Sequence, residues 1–233
     1  MNSQAQAIEK FISRQPENKI LTANQVYRQL PESFSKQAFY QTLTRLMQKV
    51  VLCHLTKWLY YRYRPRHSRF GVIPLGEQII IDHYTKKSQE MVICYRLYHQ
   101  YRLTTQISKN VELLSSALQE NKKTVSNVKV TRLDLKFDTA ICNAIGTLEI
   151  LNNYRNIEDI NRQQLAEYMR KFALNYSEEA ILTVLRHSKY KKSTITFLAA
   201  FLGFLNTKHT LQQYLSRLSA YAIPQMEEFY AST

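Results

Sequence analysis

An α+β protein of two parts is what the sequence predicts, and three observations predict it. The first 64 residues read as three short helices followed by two β-rich runs. Two more strand-like runs, at 111–115 and 128–133, sit in a middle section that also carries helical patterns. From Asp138 onward the pattern is helical. Helices and strands grouped in blocks, rather than alternating as βαβ units, describe an α+β chain.

Ser3 is placed to cap a first helix over 3–14, with Ala7, Ile8, Phe11 and Ile12 on one side. Pro16 and Asn18 break the chain. Thr22 is a suitable N-cap for a second helix over 23–30, which Pro31 closes. Ser35 caps a third over 36–49, where Phe39, Leu43, Leu46, Met47 and Val50 recur at helical spacing as one apolar stripe. Its other face presents Lys36, Gln37, Tyr40, Gln41, Thr44, Arg45, Gln48 and Lys49, without a carboxylate. Runs 51–55 and 59–64, separated by Thr56, Lys57 and Trp58, suit a hairpin, and Tyr61 and Tyr63 are expected in the core. Three helices and a hairpin in this order make a winged helix-turn-helix.

Charge follows the same division. Residues 1–69 hold 12 Lys/Arg against 3 Asp/Glu, so +9 of the chain's +14 lies there. A field concentrated at one end is the footprint of phosphate binding. On a helix lying in a major groove, Gln and Arg read base edges while carboxylates would repel phosphates. The residues expected to contact DNA are Lys36, Gln37, Tyr40, Gln41, Thr44, Arg45 and Lys49 of the third helix. Lys57, Arg62, Arg64, Arg66 and Arg69 of the wing join them, since arginine-rich strand ends suit phosphate or minor-groove contacts.

Just past the wing, Ser68-Arg69-Phe70-Gly71 resembles the (S/T)-R-F-G signature of the AbiEi-like antitoxins of type IV toxin–antitoxin systems, a family of phage abortive infection. Tyr101-Arg102-Leu103-Thr104-Thr105-Gln106-Ile107 resembles the family's L-G-L-T-T-Q-V element. Both blocks follow a winged helix in the family's order, and the likeness covers residues 20–135 most firmly. The family residues carried over are Ser68, Arg69, Phe70, Gly71, Leu103, Thr104, Thr105 and Gln106. The resemblance implies operator DNA binding that represses the chain's own operon. It also implies a second domain that counteracts a nucleotidyltransferase-like toxin, without requiring a stable complex. Three positions depart from the family: Trp58 stands for the glycine of the wing turn, Arg102 for the glycine of L-G-L, and Ser108 for the usual proline. Thr, Lys and Trp supply positive φ poorly, so a longer or distorted wing is expected.

The expected division is therefore 1–69, a winged-helix DNA-binding domain, and 70–233, an antitoxin domain with an α+β part (70–137) and a mainly helical part (138–233). In the former part helices are expected from Glu77 to Tyr84 and from Glu90 to Tyr98, with a polar loop at Asn121, Lys122 and Lys123. In the latter, Thr139, Ser177, Ser193 and Thr210 are placed to cap helices within runs 140–153, 161–174, 178–188, 194–206 and 211–221. The apolar run 195–205 reads as a helix buried on all sides, too short for a bilayer. An apolar content of 45% suffices for real cores. With no signal-like opening and with Cys53, Cys94 and Cys142 unclustered, the expected location is the cytoplasm and the thiols reduced.

Catalytic patterns are thin, and neither a cofactor nor a metal nor enzymatic activity is expected. The six histidines form no HxxxH or HExxH pair, and Cys94 and His99 read as packing neighbours. Asp134-Leu135-Lys136 is a D-x-K of the kind metal-dependent nucleases place on a strand, with Glu112 and Glu120 upstream. It defines an enzyme alternative. A second basic patch, Lys189, Lys191 and Lys192, sits between two helices, as a solvated loop or as a surface for a partner. The alternative to the antitoxin is a transcriptional repressor whose C-terminal domain senses a ligand or partner.

Overall fold

Helix N-terminal caps and left-handed residues punctuate this chain, which has only four glycines. The computed structural model describes residues 3–17, 19–62, 76–84, 90–106, 108–215 and 221–230. The fold is α+β. The chain divides into two compact units, Met1–Tyr84 with Thr124–Val128, and Thr85–Lys123 with Lys129–Thr233.

The first unit contains α1 (Ser3–Ser13), β1 (Ile20–Thr22), α2 (Ala23–Arg28), α3 (Lys36–Gln48), β2 (Leu52–Thr56), β3 (Leu59–Arg62) and α4 (Gly76–Tyr84). The antiparallel sheet has the order β1-β3-β2, which together with the helix order is winged-helix topology. Ile8, Ile12, Leu21, Val26, Phe39, Leu43, Leu46, Leu52 and Tyr60 form its core. Each large apolar side chain buried there contributes about 1.5–3 kcal/mol. Strand β1 has no counterpart among the expected elements. It holds Thr22, which makes no side-chain cap; the first amide of α2, at Ala23, instead donates to the Trp58 carbonyl at 2.9 Å. Ser35 does cap α3, accepting from the Ala38 amide at 3.4 Å.

Val50, expected on the apolar stripe of α3, lies beyond the helix at φ 56° and is 60% exposed. It takes the left-handed C′ place of a Schellman motif, with its amide on the Met47 carbonyl and the Val51 amide on that of Leu46. The hairpin is distorted, as expected, but not lengthened. Lys57 and Trp58 alone link the strands, with an irregularity between His54 and Thr56. Trp58 makes this possible by adopting φ 70°. Helix α4, expected in the second domain, groups with the first unit.

Strands β4 (Glu90–Ile93), β5 (Val111–Ser115), β6 (Lys122–Val125) and β7 (Val128–Arg132) form a sheet of order β4-β5-β7-β6; β4 and β5 belong to the second unit, while Thr124–Val128, where β6 turns into β7, groups with the first. The helix expected from Glu90 to Tyr98 is a strand and a helix instead. Met91 and Ile93 are buried opposite Leu114 and Glu112 of β5, and Cys94 at φ 59° turns the chain into α5 (Tyr95–Gln100). The polar loop at Lys122 and Lys123 is also a strand, β6. It is an edge, where lysines discourage pairing with another chain.

Helices α6 (Thr139–Asn153), α7 (Arg162–Leu174), α8 (Glu178–His187) and α9 (Lys192–Phe204) follow, with α6 packed on α8 and α9 around Ile145, Leu148, Ile181, Leu198 and Phe201. Asp138, not Thr139, caps α6, accepting from the Ile141 amide at 2.9 Å. Asn161 and Ser177 cap α7 and α8. Ser193 lies inside α9, which starts after Lys191 without a side-chain cap. Nor is α9 buried on all sides: Gly203 and Phe204 are exposed, Phe204 stacking on Tyr230 of α10 (Glu227–Tyr230). The helix expected over 211–221 is a single 3-10 turn, Leu211–Tyr214; residues 216–220 lie outside the described residues.

Candidate nucleic-acid interface

The surface expected to read DNA is built on α3. Phe39, Thr42, Leu43 and Leu46 bury one face, which fixes the rotation of the helix and turns Gln37, Gln41, Thr44 and Gln48 outward. These four lie at i, i+4, i+7 and i+11, a line along the helix crest. Lys36 flanks the crest on the side of α2, its ammonium 6.0 Å from the Tyr27 ring centroid. Arg45 and Lys49 flank it on the side of α1, where Lys49 pairs with Glu9 at 3.1 Å. No residue of α3 is acidic.

Tyr40 is half-buried and joins the helix to the wing. Its ring meets Phe39 at 5.2 Å and Trp58 edge-on at 5.2 Å. Lys57 lies beside it, with its ammonium 5.5 Å from the Trp58 ring. Behind them Tyr60 is buried, and that burial, reinforced by the nearby Tyr40 hydroxyl, raises its pKa above the ordinary 10.0.

Arg62 is not part of this surface. Its guanidinium clasps the end of α1, donating to the Ser13 carbonyl, to the Gln15 carbonyl at 2.9 Å and to Glu17 Oε1 at 2.5 Å. Partners so distant along the chain leave no local signal, and the alternation of β3 alone could not reveal them. Tyr61 is buried as expected. Arg64, Arg66, Ser68, Arg69, Phe70 and Gly71, with Tyr63, lie outside the described residues.

The second family-like block is structural where it is described. Arg102 holds φ 57° at the C′ position of a Schellman motif that ends α5, with its amide on His99 and the Leu103 amide on Tyr98. Leu103 is fully buried, and its carbonyl accepts from the Asn161 amide at 2.8 Å. Buried Thr104 donates to the Glu158 carbonyl at 2.9 Å and accepts from the Gln106 amide at 3.1 Å. Thr105 is exposed and Gln106 half-buried. The block thus pins the end of α5 to the segment that enters α7.

Lys189 and Lys191, on the connection from α8 to α9, and Lys192, the first residue of α9, are exposed. Asp134 follows β7 rather than lying in it, and its carboxylate pairs with Arg132 at 2.8 Å. Glu112 pairs with Lys129 at 2.8 Å and Glu120 with Lys123 at 3.0 Å. Among the described residues, no three His, Cys, Asp or Glu side chains form a metal-binding group. Burial, with the charges of Glu112 and Glu149 nearby, pushes the Cys94 thiol up to about 12. Among the described residues no helix is long and apolar enough to cross a membrane.

No family model matches the sequence, and no curated protein matches it. One similar solved structure is the crystal structure of RV2827C protein from Mycobacterium tuberculosis. It shares 12% identity with a TM-score of 0.49, over 90% of this chain and 83% of that one.

Proposed function

We propose that the chain binds operator DNA upstream of its own gene through α3 and the wing, and so represses its own operon. The observation that carries this reading is the exposed, carboxylate-free crest of α3, whose glutamines are flanked by Lys36, Arg45 and Lys49. Amide side chains in that row suit base edges and the cations suit phosphates. Fluorescence-anisotropy titration on upstream DNA and on scrambled DNA, across a salt series, tests it. A preference of roughly a thousandfold for the native site is expected. Equal, weak binding to both would overturn the reading, since counterion release accompanies non-specific binding as well.

In this reading the chain is also the antitoxin of a type IV system, antagonising a nucleotidyltransferase-like toxin in the cytoplasm. Two backbone angles favour that part. Trp58 and Arg102 stand where the AbiEi-like family has glycine, and both hold positive φ, at 70° and 57°. The chain keeps the conformation that glycine provides while lacking the glycine itself. Co-expression with a nucleotidyltransferase-like protein from the adjacent reading frame should restore growth. Failure of rescue with operator binding intact leaves a repressor whose second unit senses a ligand or partner.

A further inference from the structure

Trp58 is the chain's single tryptophan, and it is held out in a costly way. Its backbone takes φ 70°, a left-handed conformation that disfavours any residue with a Cβ. The residue is 44% exposed although Leu59 and Tyr60, which follow it, are buried. The ring is not loose: it meets Tyr40 of α3 edge-on at 5.2 Å, and the Lys57 ammonium stands 5.5 Å from it. Its carbonyl accepts from the Ala23 amide at the start of α2 at 2.9 Å. A wing turn fastened at its backbone to one helix and at its side chain to another presents an aromatic ring at a fixed height beside the α3 crest.

We propose that the Trp58 indole is a direct contact to duplex DNA, packing on the sugar–phosphate backbone that borders the groove α3 enters, with Lys57 on the adjacent phosphate. This rests on the DNA-binding reading given above and adds a named contact to it. Strain retained at an exposed position points to a role beyond packing, since the edge contact with Tyr40 leaves much of Trp58 open to solvent. The neighbours of the ring fit this occupant. Tyr40 supplies an apolar wall, Lys57 the counter-charge, and no acidic residue lies between Lys36 and Arg62. A contact to sugar and phosphate adds affinity on every sequence and leaves base reading to the glutamines.

The experiment uses the full chain and upstream duplex DNA, with two readouts. Indole emission, excited to the red of tyrosine absorption, reports Trp58 alone, and anisotropy of labelled DNA reports binding independently. Quenching of the indole should follow the anisotropy isotherm. Trp58→Gly should keep a melting temperature near wild type, because relief of the left-handed strain offsets the lost Tyr40 contact, and weaken binding about tenfold on native and scrambled DNA alike, the size of one good aromatic contact. Trp58→Phe should retain most of the affinity. DNA binding with unmoved emission and wild-type affinity in Trp58→Gly would overturn this contact while leaving the operator reading standing. Absence of any anisotropy change would overturn both.

Discussion

The Tyr190 hydroxyl donates to Glu149 Oε1 at 3.1 Å, tying the loop between α8 and α9 to the middle of α6. Asn153 donates its Nδ2 to the Glu149 carbonyl at 3.0 Å and lies 3.4 Å from Oε2. Burial raises the Glu149 pKa above the ordinary 4.5; the Tyr190 hydrogen bond opposes that rise and the Glu112 charge adds to it. The native state therefore holds more protons than the unfolded chain between 4.5 and the raised value. Stability from this group falls as pH rises through that window. Glu149→Gln keeps an acceptor for Tyr190 and removes the titration. Its melting temperature relative to wild type should climb as pH rises from 4.5 and then level off. A difference that is flat or shrinks over that range would show that Glu149 is not held above its ordinary value.

The same anchoring gives the lysine loop a defined shape. Tyr190 points inward while Lys189, Lys191 and Lys192 stay exposed around it. If these lysines meet a partner, changing all three to alanine should impair toxin antagonism and leave operator affinity and melting temperature near wild type. Unchanged growth rescue in that variant would reduce the patch to a solvated surface.

Arg62 carries a different kind of prediction, because its hydrogen bonds close the first unit rather than reach outward. It satisfies the carbonyls of Ser13, the last residue of α1, and of Gln15 just past it, and pairs with Glu17. Arg62→Ala strips those partners and should destabilise the unit by about 1–3 kcal/mol in urea denaturation. Below its melting transition the variant should bind DNA with a wild-type salt slope. A slope lowered by about one phosphate contact would instead mark Arg62 as a DNA ligand.

Val50 and Arg102 each close a helix in a left-handed conformation while exposed to solvent. Replacing either with glycine relieves a strain of about 1–2 kcal/mol per residue and loses little packing. The gain is offset in part by the greater freedom of glycine in the unfolded chain. Val50→Gly should come out stabilising by roughly 1 kcal/mol, the larger of the two effects, because a β-branched residue tolerates positive φ least. Lower stability in both variants would mean that the turns depend on those side chains.

Much of this architecture is written in local signals. Ser35 and Ser177 each sit one residue before the helix they cap, Asn161 caps the helix it is expected to begin, and the stripe of Phe39, Leu43 and Leu46 alone orients α3. What the sequence does not reveal is tertiary or runs against propensity. Residues 90–93 carry no helix breaker, and only pairing with β5 makes them a strand. Lys122 and Lys123 look like loop because an edge strand is chosen for solubility as much as for burial. Cys94, Arg102 and Val50 turn the chain where a glycine would have announced it. Within the candidate site the α3 crest follows from periodicity, whereas the commitment of Arg62 to α1 depends on hydrogen bonds between residues 45 to 49 positions apart.

The crest of α3 separates two roles that a single affinity measurement would merge. Gln37 and Gln41 carry no charge, so their removal cannot change the number of counterions released on binding. Gln37→Ala with Gln41→Ala should cost about 1–3 kcal/mol of preference for each base the pair reads, and leave the salt slope as it was. Adding Arg45→Ala should abolish the preference. Where Arg45 neutralises a phosphate as well, its loss should also lower the slope by about one. Lys36→Ala or Lys57→Ala should weaken native and scrambled DNA equally and lower the slope by a similar amount. Specificity that survives the triple change would move sequence reading off α3 altogether. The first unit would then be holding the duplex by its phosphates alone.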